Sequence, residues 1–127
     1  MLFLYPAVFH QEEDSYWVEF PDLEGCQSFG DTLNETMENA QEALSAYLLT
    51  LFSEGKTIPS ASELSSVAVP EDGFINLVSC NLNRCHQTKA IKKTLTIPAW
   101  LNEQAVASGI NFSQTLQEAL IYKLQHR

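Results

Sequence analysis

The sequence predicts an α+β protein in two parts: an antiparallel sheet with one main helix, then a compact strand-helix-helix segment. Three observations carry this reading. Residues 2–29 hold three short apolar runs broken by polar or Pro/Gly turns. Residues 33–51 repeat apolar side chains at helical spacing instead. From Lys92 onward, a short alternating run stops at Pro98 and gives way to two amphipathic segments parted by Ser108-Gly109-Ile110-Asn111.

Residues 2–10 read as a strand with apolar groups in both phases, so both its faces are expected to be covered. Pro6 is awkward in a central strand and points to an edge or a bulge. The polar run Gln11-Glu12-Glu13-Asp14-Ser15 turns the chain into a second strand, where Tyr16, Val18 and Phe20 alternate with Ser15 and Glu19. Pro21-Asp22-Leu23-Glu24-Gly25 is a turn, and residues 26–29 form a short third strand. Gly30-Asp31 opens the principal helix, with Thr32 and Glu35 at capping-box spacing. Leu33, Met37, Ala40, Leu44, Tyr47, Leu48 and Leu51 share one face of it, while Glu35, Glu38, Asn39 and Glu42 lie on the wet side. Ser53-Glu54-Gly55 ends the helix. A Ser, Ala and Pro-rich loop follows over 57–66, then two extended pieces, 67–69 and 74–80, around the turn Pro70-Glu71-Asp72-Gly73. The first domain is expected to span 1–80, with a polar linker over 81–90.

Composition narrows the function. The 45% hydrophobic fraction permits a packed core, and no apolar run reaches the roughly 18 residues of a membrane span. The apolar amino end lacks a basic region before it and a small-residue cleavage site after it, a poor fit to a secretory signal. Three cysteines, Cys26, Cys80 and Cys85, make no closed disulfide framework, which favours a reducing cytoplasm. The net charge of −9 divides unevenly. Residues 1–80 carry 14 acidic side chains against Lys56 alone, a balance of −13. Residues 81–127 carry six basic against two acidic, a balance of +4. The tail suits a polyanion and the amino-terminal part suits something basic, although acidic surfaces also serve solubility.

In the tail, Leu95 and Ile97 point one way and Lys92, Thr94 and Thr96 the other. Pro98 suits the first turn of a helix, Gly109 a left-handed stop, and Ser113 can cap a second helix carrying Leu116, Ala119, Leu120 and Leu124 on one face. One strand and two helices in residues 91–127 cannot bury their own apolar side chains. A second copy related by a two-fold axis solves this by pairing the two strands. The arrangement resembles the ribbon-helix-helix family of DNA-binding proteins. That resemblance implies that Lys92, Thr94 and Thr96 enter the major groove, where Lys donates to guanine and Thr offers a hydroxyl and a methyl group. It also places Asn111, Ser113 and Gln114 at a helix amino end against a phosphate. A solvated edge strand would show the same alternation.

The amino-terminal part carries a more specific signature. Tyr16-Trp17-Val18-Glu19-Phe20-Pro21-Asp22-Leu23-Glu24-Gly25-Cys26, then Gly30-Asp31-Thr32 and a helix with Glu38-Asn39-Ala40 and Glu42-Ala43-Leu44, resembles the HicB family of antitoxins over roughly residues 3–80. The resemblance implies a partial ribonuclease-H-like sheet and a partner of the HicA type, a small basic toxin that cleaves RNA. It further implies binding of the toxin through the first domain, binding of the protein's own operator DNA through the tail, autorepression, a homodimer and no enzymatic activity. An acidic domain can cover an RNA-binding surface by charge complementarity. Asp14, Tyr16, Glu19, Asp22 and Glu24 are the expected toxin contacts, with plain core packing the competing role for Tyr16.

Two other function classes remain open at this level. A ribonuclease-H-like sheet with metal held by Glu12, Glu13, Asp14, Asp22 and Asp31 would make a nuclease, but consecutive turn carboxylates diverge. A ribbon-helix-helix regulator with a ligand-sensing first domain is the other, and residues 1–80 specify no ligand pocket. Cys80, Cys85 and His86 have loose spacing for zinc and no second ligand pair. Five scattered glycines form no phosphate loop, so no cofactor is expected.

Overall fold

The computed structural model describes residues 2–81 and 90–126, which fall into two compact units divided between Arg84 and Cys85. Among the described residues the first unit holds strands β1 (Leu2–Glu12), β2 (Ser15–Glu19) and β3 (Gln27–Gly30), helix α1 (Leu33–Ser53), a 3-10 turn (Leu64–Ser66) and β4 (Gly73–Asn81). The second holds α2 (Ala99–Ala107) and α3 (Phe112–Gln125). The expected linker falls almost wholly on 82–89, outside the described residues, as do Cys85 and His86.

The strands form one antiparallel sheet in the order β3-β2-β1-β4. Pairing runs from Val8 opposite Glu19 to Glu12 opposite Ser15, and from Leu2 opposite Asn81 to His10 opposite Gly73. β2 thus covers only the second half of β1. Pro6 lies in the first half, where one flank has no ladder, so a proline is tolerated in an otherwise central strand. At the β1–β4 crossing a Cβ on Gly73 would fall 1.7 Å from the Phe9 carbonyl oxygen, so only glycine fits there.

One sheet face is covered by α1. Tyr5, Ala7, Phe9, Val18, Phe20, Val78 and Cys80 meet Ala40, Leu44 and Leu48 in the core. Alternation decides which side chains these are: odd positions of β1 and even positions of β2 point at the helix. Leu23 is also buried, because the 21–25 turn folds inward through hydrogen bonds from Leu23 and Cys26 amides, with Gly25 at φ +80.

The helix departs from the sequence expectation at its start. Leu33 is 42% exposed, and Thr36 takes the core position instead. The reason is the approach of β3: a Cβ on Gly30 would lie 2.6 Å from Thr36 Oγ1, so the strand packs tightly onto that turn. Thr36 hides its hydroxyl by donating to the Thr32 carbonyl at 2.7 Å. Thr32 caps α1 through the Glu35 amide at 3.1 Å, while Glu35 reaches back to the Asp31 amide rather than to that of Thr32. Asn39, expected on the wet side, is half-buried and donates to the Phe29 carbonyl at 2.8 Å. Residues 67–69 form no ladder, and Val69 is 70% exposed.

In the second unit, residues 90–98 make no ladder within the chain. Pro98 precedes α2 as its cap, in extended geometry (φ −57, ψ 141), rather than forming its first turn. Gly109 (φ +70) ends α2 in a Schellman motif, with its amide on Val106 and that of Ile110 on Ala105. Asn111, not Ser113, caps α3: its Oδ1 accepts from the Gln114 amide at 3.0 Å. Asn at that position satisfies the free amide, leaving Ser113 inside the first turn.

Candidate functional site

Each unit offers one candidate surface. On the first, two-residue turning between Glu12 and Ser15 sets Glu13 and Asp14 at the tip of the β1–β2 hairpin. Glu13 adopts φ +43, an uncommon conformation for a residue with a side chain. Glu12, Glu13, Asp14, Ser15 and Asp31 line a shallow, open depression of ≈ 670 Å³. A second, of ≈ 660 Å³, shares Glu12 and Ser15 and continues over Trp17, Gln27 and Phe29.

The five expected toxin contacts do not converge. Asp14 is exposed at the hairpin tip, and Tyr16, half-buried, stands opposite Gly30 on the helix side of the sheet. Glu19 points to the other face, 3.4 Å from His10 Nε2 without hydrogen-bond geometry. Asp22 sits at the far end of β2, where its carboxylate accepts from the Ser62 amide (2.9 Å) and hydroxyl. This fastens the 57–66 loop, as does Tyr5, whose hydroxyl donates to the Pro59 carbonyl. Glu24 is exposed, and its carbonyl accepts from Tyr47 at 3.0 Å. Asp22 therefore has a structural task, and it is remote from the acidic depression that Asp14 lines.

The same geometry bears on the imagined metal cluster. Glu12, Glu13, Asp14 and Asp31 line one depression, but Asp22 does not join them. Among the described residues no three His, Cys, Asp or Glu converge to hold a metal ion.

Burial perturbs two groups near the core. It pushes the Tyr5 hydroxyl up to about 12, with the Asp22 charge adding to the effect, and the Cys26 thiol up to about 11. Cys26 is thus an inert core thiol at neutral pH. Cys80, also buried, lies 3.0 Å from Ser45 Oγ. The Lys56 ammonium is raised by its hydrogen bond to Glu54 at 2.8 Å.

On the second unit, Lys92, Thr94 and Thr96 are exposed, as are Asn111, Ser113 and Gln114. The Gln114 amide is already taken by Asn111, and its side chain donates to Glu118 at 3.2 Å. Ile91, Leu95, Ile97, Trp100, Leu101, Val106 and Leu120 are exposed as well, and among the described residues of this unit only Ala105 is buried. No helix among the described residues is long and apolar enough to cross a membrane.

Sequence reasoning missed Trp17 and Phe29. Their signal was present in the phase: both alternate out of step with the core residue Val18 and so belong to the face away from α1.

Comparison with known proteins gives this geometry a context. A family profile described as "HicB_like antitoxin of bacterial toxin-antitoxin system" matches residues 5–119. An uncharacterised 14.9 kDa protein of Haemophilus phage HP1 is 35% identical over 101 residues, covering 77% of this chain and 75% of that protein. A chain in a toxin–antitoxin complex from Streptococcus pneumoniae superposes with a TM-score of 0.63 at 29% identity, covering 97% of this chain and 99% of that one. A chain of a HicA3 and HicB3 toxin–antitoxin complex does so with a TM-score of 0.53 at 25% identity, over 62% of this chain and 99% of that one.

Proposed function

Because this chain belongs to the HicB-like antitoxin family of bacterial toxin–antitoxin systems, we propose that it neutralises a HicA-type RNA-cleaving toxin through residues 1–80 and represses its own operon through residues 91–127. The observation that carries the reading is the coincidence of charge with architecture. Residues 1–80, which supply the sheet and its helix, hold 14 acidic side chains and one basic one; residues 81–127 hold the other six basic residues against two acidic ones. A surface that binds RNA must be positive, so an acidic body can occupy it and exclude the nucleic acid. Such complementarity speeds encounter more than it sets final affinity. In this reading the sheet is a partial ribonuclease-H-like scaffold used for binding, with no catalytic role.

The tail is read as a ribbon-helix-helix module. Its exposed Leu95 and Ile97, each about half accessible, need a partner surface. A two-fold copy supplies one, pairing the 92–97 segments into a ribbon and enclosing the apolar faces of α2 and α3. Lys92, Thr94 and Thr96 then line its outer side for the major groove, and the α3 amino end approaches a phosphate. The carboxylate balance of the body would oppose DNA binding if spread evenly; confined to residues 1–80, it leaves the tail positive.

Co-expression with a HicA-type toxin tests the first half: a stable complex in which RNA cleavage is suppressed is the expected result. A gel shift on the upstream DNA tests the second. Leu95→Asp should abolish dimerisation and DNA binding together, and joint replacement of Lys92, Thr94 and Thr96 by Ala should abolish DNA binding while dimers persist. DNA binding that survives the triple replacement refutes the groove assignment.

A further inference from the structure

The sheet face turned away from α1 carries a row of rings that the core does not use. Pairing sets His10 opposite Trp17 and Trp17 opposite Phe29, so the three side chains stand on one face. The His10 ring stacks on Trp17 at 4.0 Å and 9°, and is itself fixed with Nδ1 3.1 Å from Asp72 and Nε2 3.4 Å from Glu19. One indole face is therefore covered, and the opposite one, on the β3 side, is left beside Phe29. Phe29 is 76% exposed in a four-residue edge strand, and Trp17 is half-exposed. A phenyl ring left in water forgoes the free energy of its burial, which contact with a partner would recover.

The surroundings specify that partner's chemistry. By strand alternation Glu12 shares the face of His10 and Trp17, and it lines both shallow depressions. The wider rim is acidic, through Glu13, Asp14 and Asp31. The single Lys or Arg of residues 1–80, Lys56, is engaged by Glu54. An aromatic face bordered by carboxylates matches a guanidinium, which stacks on the ring and pairs in-plane with a carboxylate; an ammonium does only the second well.

We propose that Trp17 and Phe29 form an arginine-docking platform: an arginine of the cationic toxin stacks on the open indole face against Phe29, with its guanidinium paired to Glu12. This rests on the antitoxin reading and moves the centre of the toxin surface from Asp22 and Glu24 to the outer face of the sheet.

The test uses the full chain in a Trp100→Phe background, which leaves Trp17 as the reporter. Titration with a HicA-type toxin that the unaltered chain binds should shift Trp17 emission. Phe29→Ser should weaken toxin binding at least tenfold with an unchanged thermal melt, since its ring contacts solvent, and Glu12→Gln should weaken it severalfold. Arginines of the toxin replaced singly by lysine should include one whose loss is not additive with Phe29→Ser; additivity at every arginine overturns the guanidinium assignment. Toxin binding within twofold of normal in Phe29→Ser, with silent Trp17 emission, overturns the platform and leaves the antitoxin reading intact. Failure of the unaltered chain to bind any HicA-type toxin removes both.

Discussion

Leu33 and Leu48 belong to one apolar stripe in the sequence, yet they should differ sharply when truncated. Leu48 is fully buried among the core side chains that join α1 to the sheet. Leu48→Ala deletes three carbons at about 0.8 kcal/mol each, and the surrounding strands cannot collapse into the space, so the total should reach about 3–4 kcal/mol. Leu33 is 42% exposed at the first turn, so its truncation opens no enclosed cavity and removes only part of the transfer free energy, about 1 kcal/mol. Both changes replace Leu by Ala in the same helix, which cancels the propensity difference. Urea unfolding followed by Trp17 emission in the Trp100→Phe background reports on the first unit alone. The expected outcome is a much lower midpoint for Leu48→Ala at unchanged slope, and a small shift for Leu33→Ala. In thermal melts, about 3 kcal/mol corresponds to a fall of roughly 12–24 °C for a body of this size. Equal losses at the two sites would refute the placement of Thr36, rather than Leu33, at the head of the buried stripe.

Two further outcomes follow from local geometry. Asn111→Ala should weaken α3 by about 1 kcal/mol, whereas Ser113→Ala should cost less than about 0.5 kcal/mol, read as amide exchange in the first turn of the helix. At alkaline pH the first unit should lose stability: Cys26 and Tyr5 have folded pKa values of about 11 and about 12, above their ordinary values, so both contribute fully below pH 9. As pH rises through the window from 9 to 12 the unfolded chain releases these protons first, and stability should fall by up to about 1.4 kcal/mol per pH unit for each group. Cys26→Ser should flatten the lower part of that decline and Tyr5→Phe the upper part; a profile level to pH 12 contradicts the burial assigned to both.

How much of this was legible in the sequence depended on the range of the interaction. The hairpin, the third strand and the long helix follow from alternation, turn residues and the Thr32 and Gly55 stops, all of which act within a few residues. Thr36 was not legible, because its burial is imposed by Gly30 approaching from another strand, a contact that neither propensity nor period encodes. The structural task of Asp22 was hidden for a related reason. In sequence it is one carboxylate in an acidic run beside a turn, but its partner is Ser62, forty residues away. The Asn111 cap could have been read correctly, since Asn and Ser both suit that position; the choice of Ser113 simply placed the helix start two residues late.

The candidate surface shows the same dependence from the opposite direction. Counting charges finds the acidic character of residues 1–80, but not where it acts, because a net balance weighs every carboxylate alike whichever face carries it. What locates the surface is register. Setting Trp17 between His10 and Phe29 forces three rings onto one face, and setting Glu12 two residues beyond His10 puts a carboxylate beside them. An acidic body alone would attract any cation and discriminate poorly. Trp17 stacked on a His10 ring that contacts Asp72, with an exposed apolar edge at Phe29, adds a shape requirement that a diffuse cation cannot meet. If the toxin docks there as proposed, the charge serves the rate of encounter and the aromatic row the choice of partner.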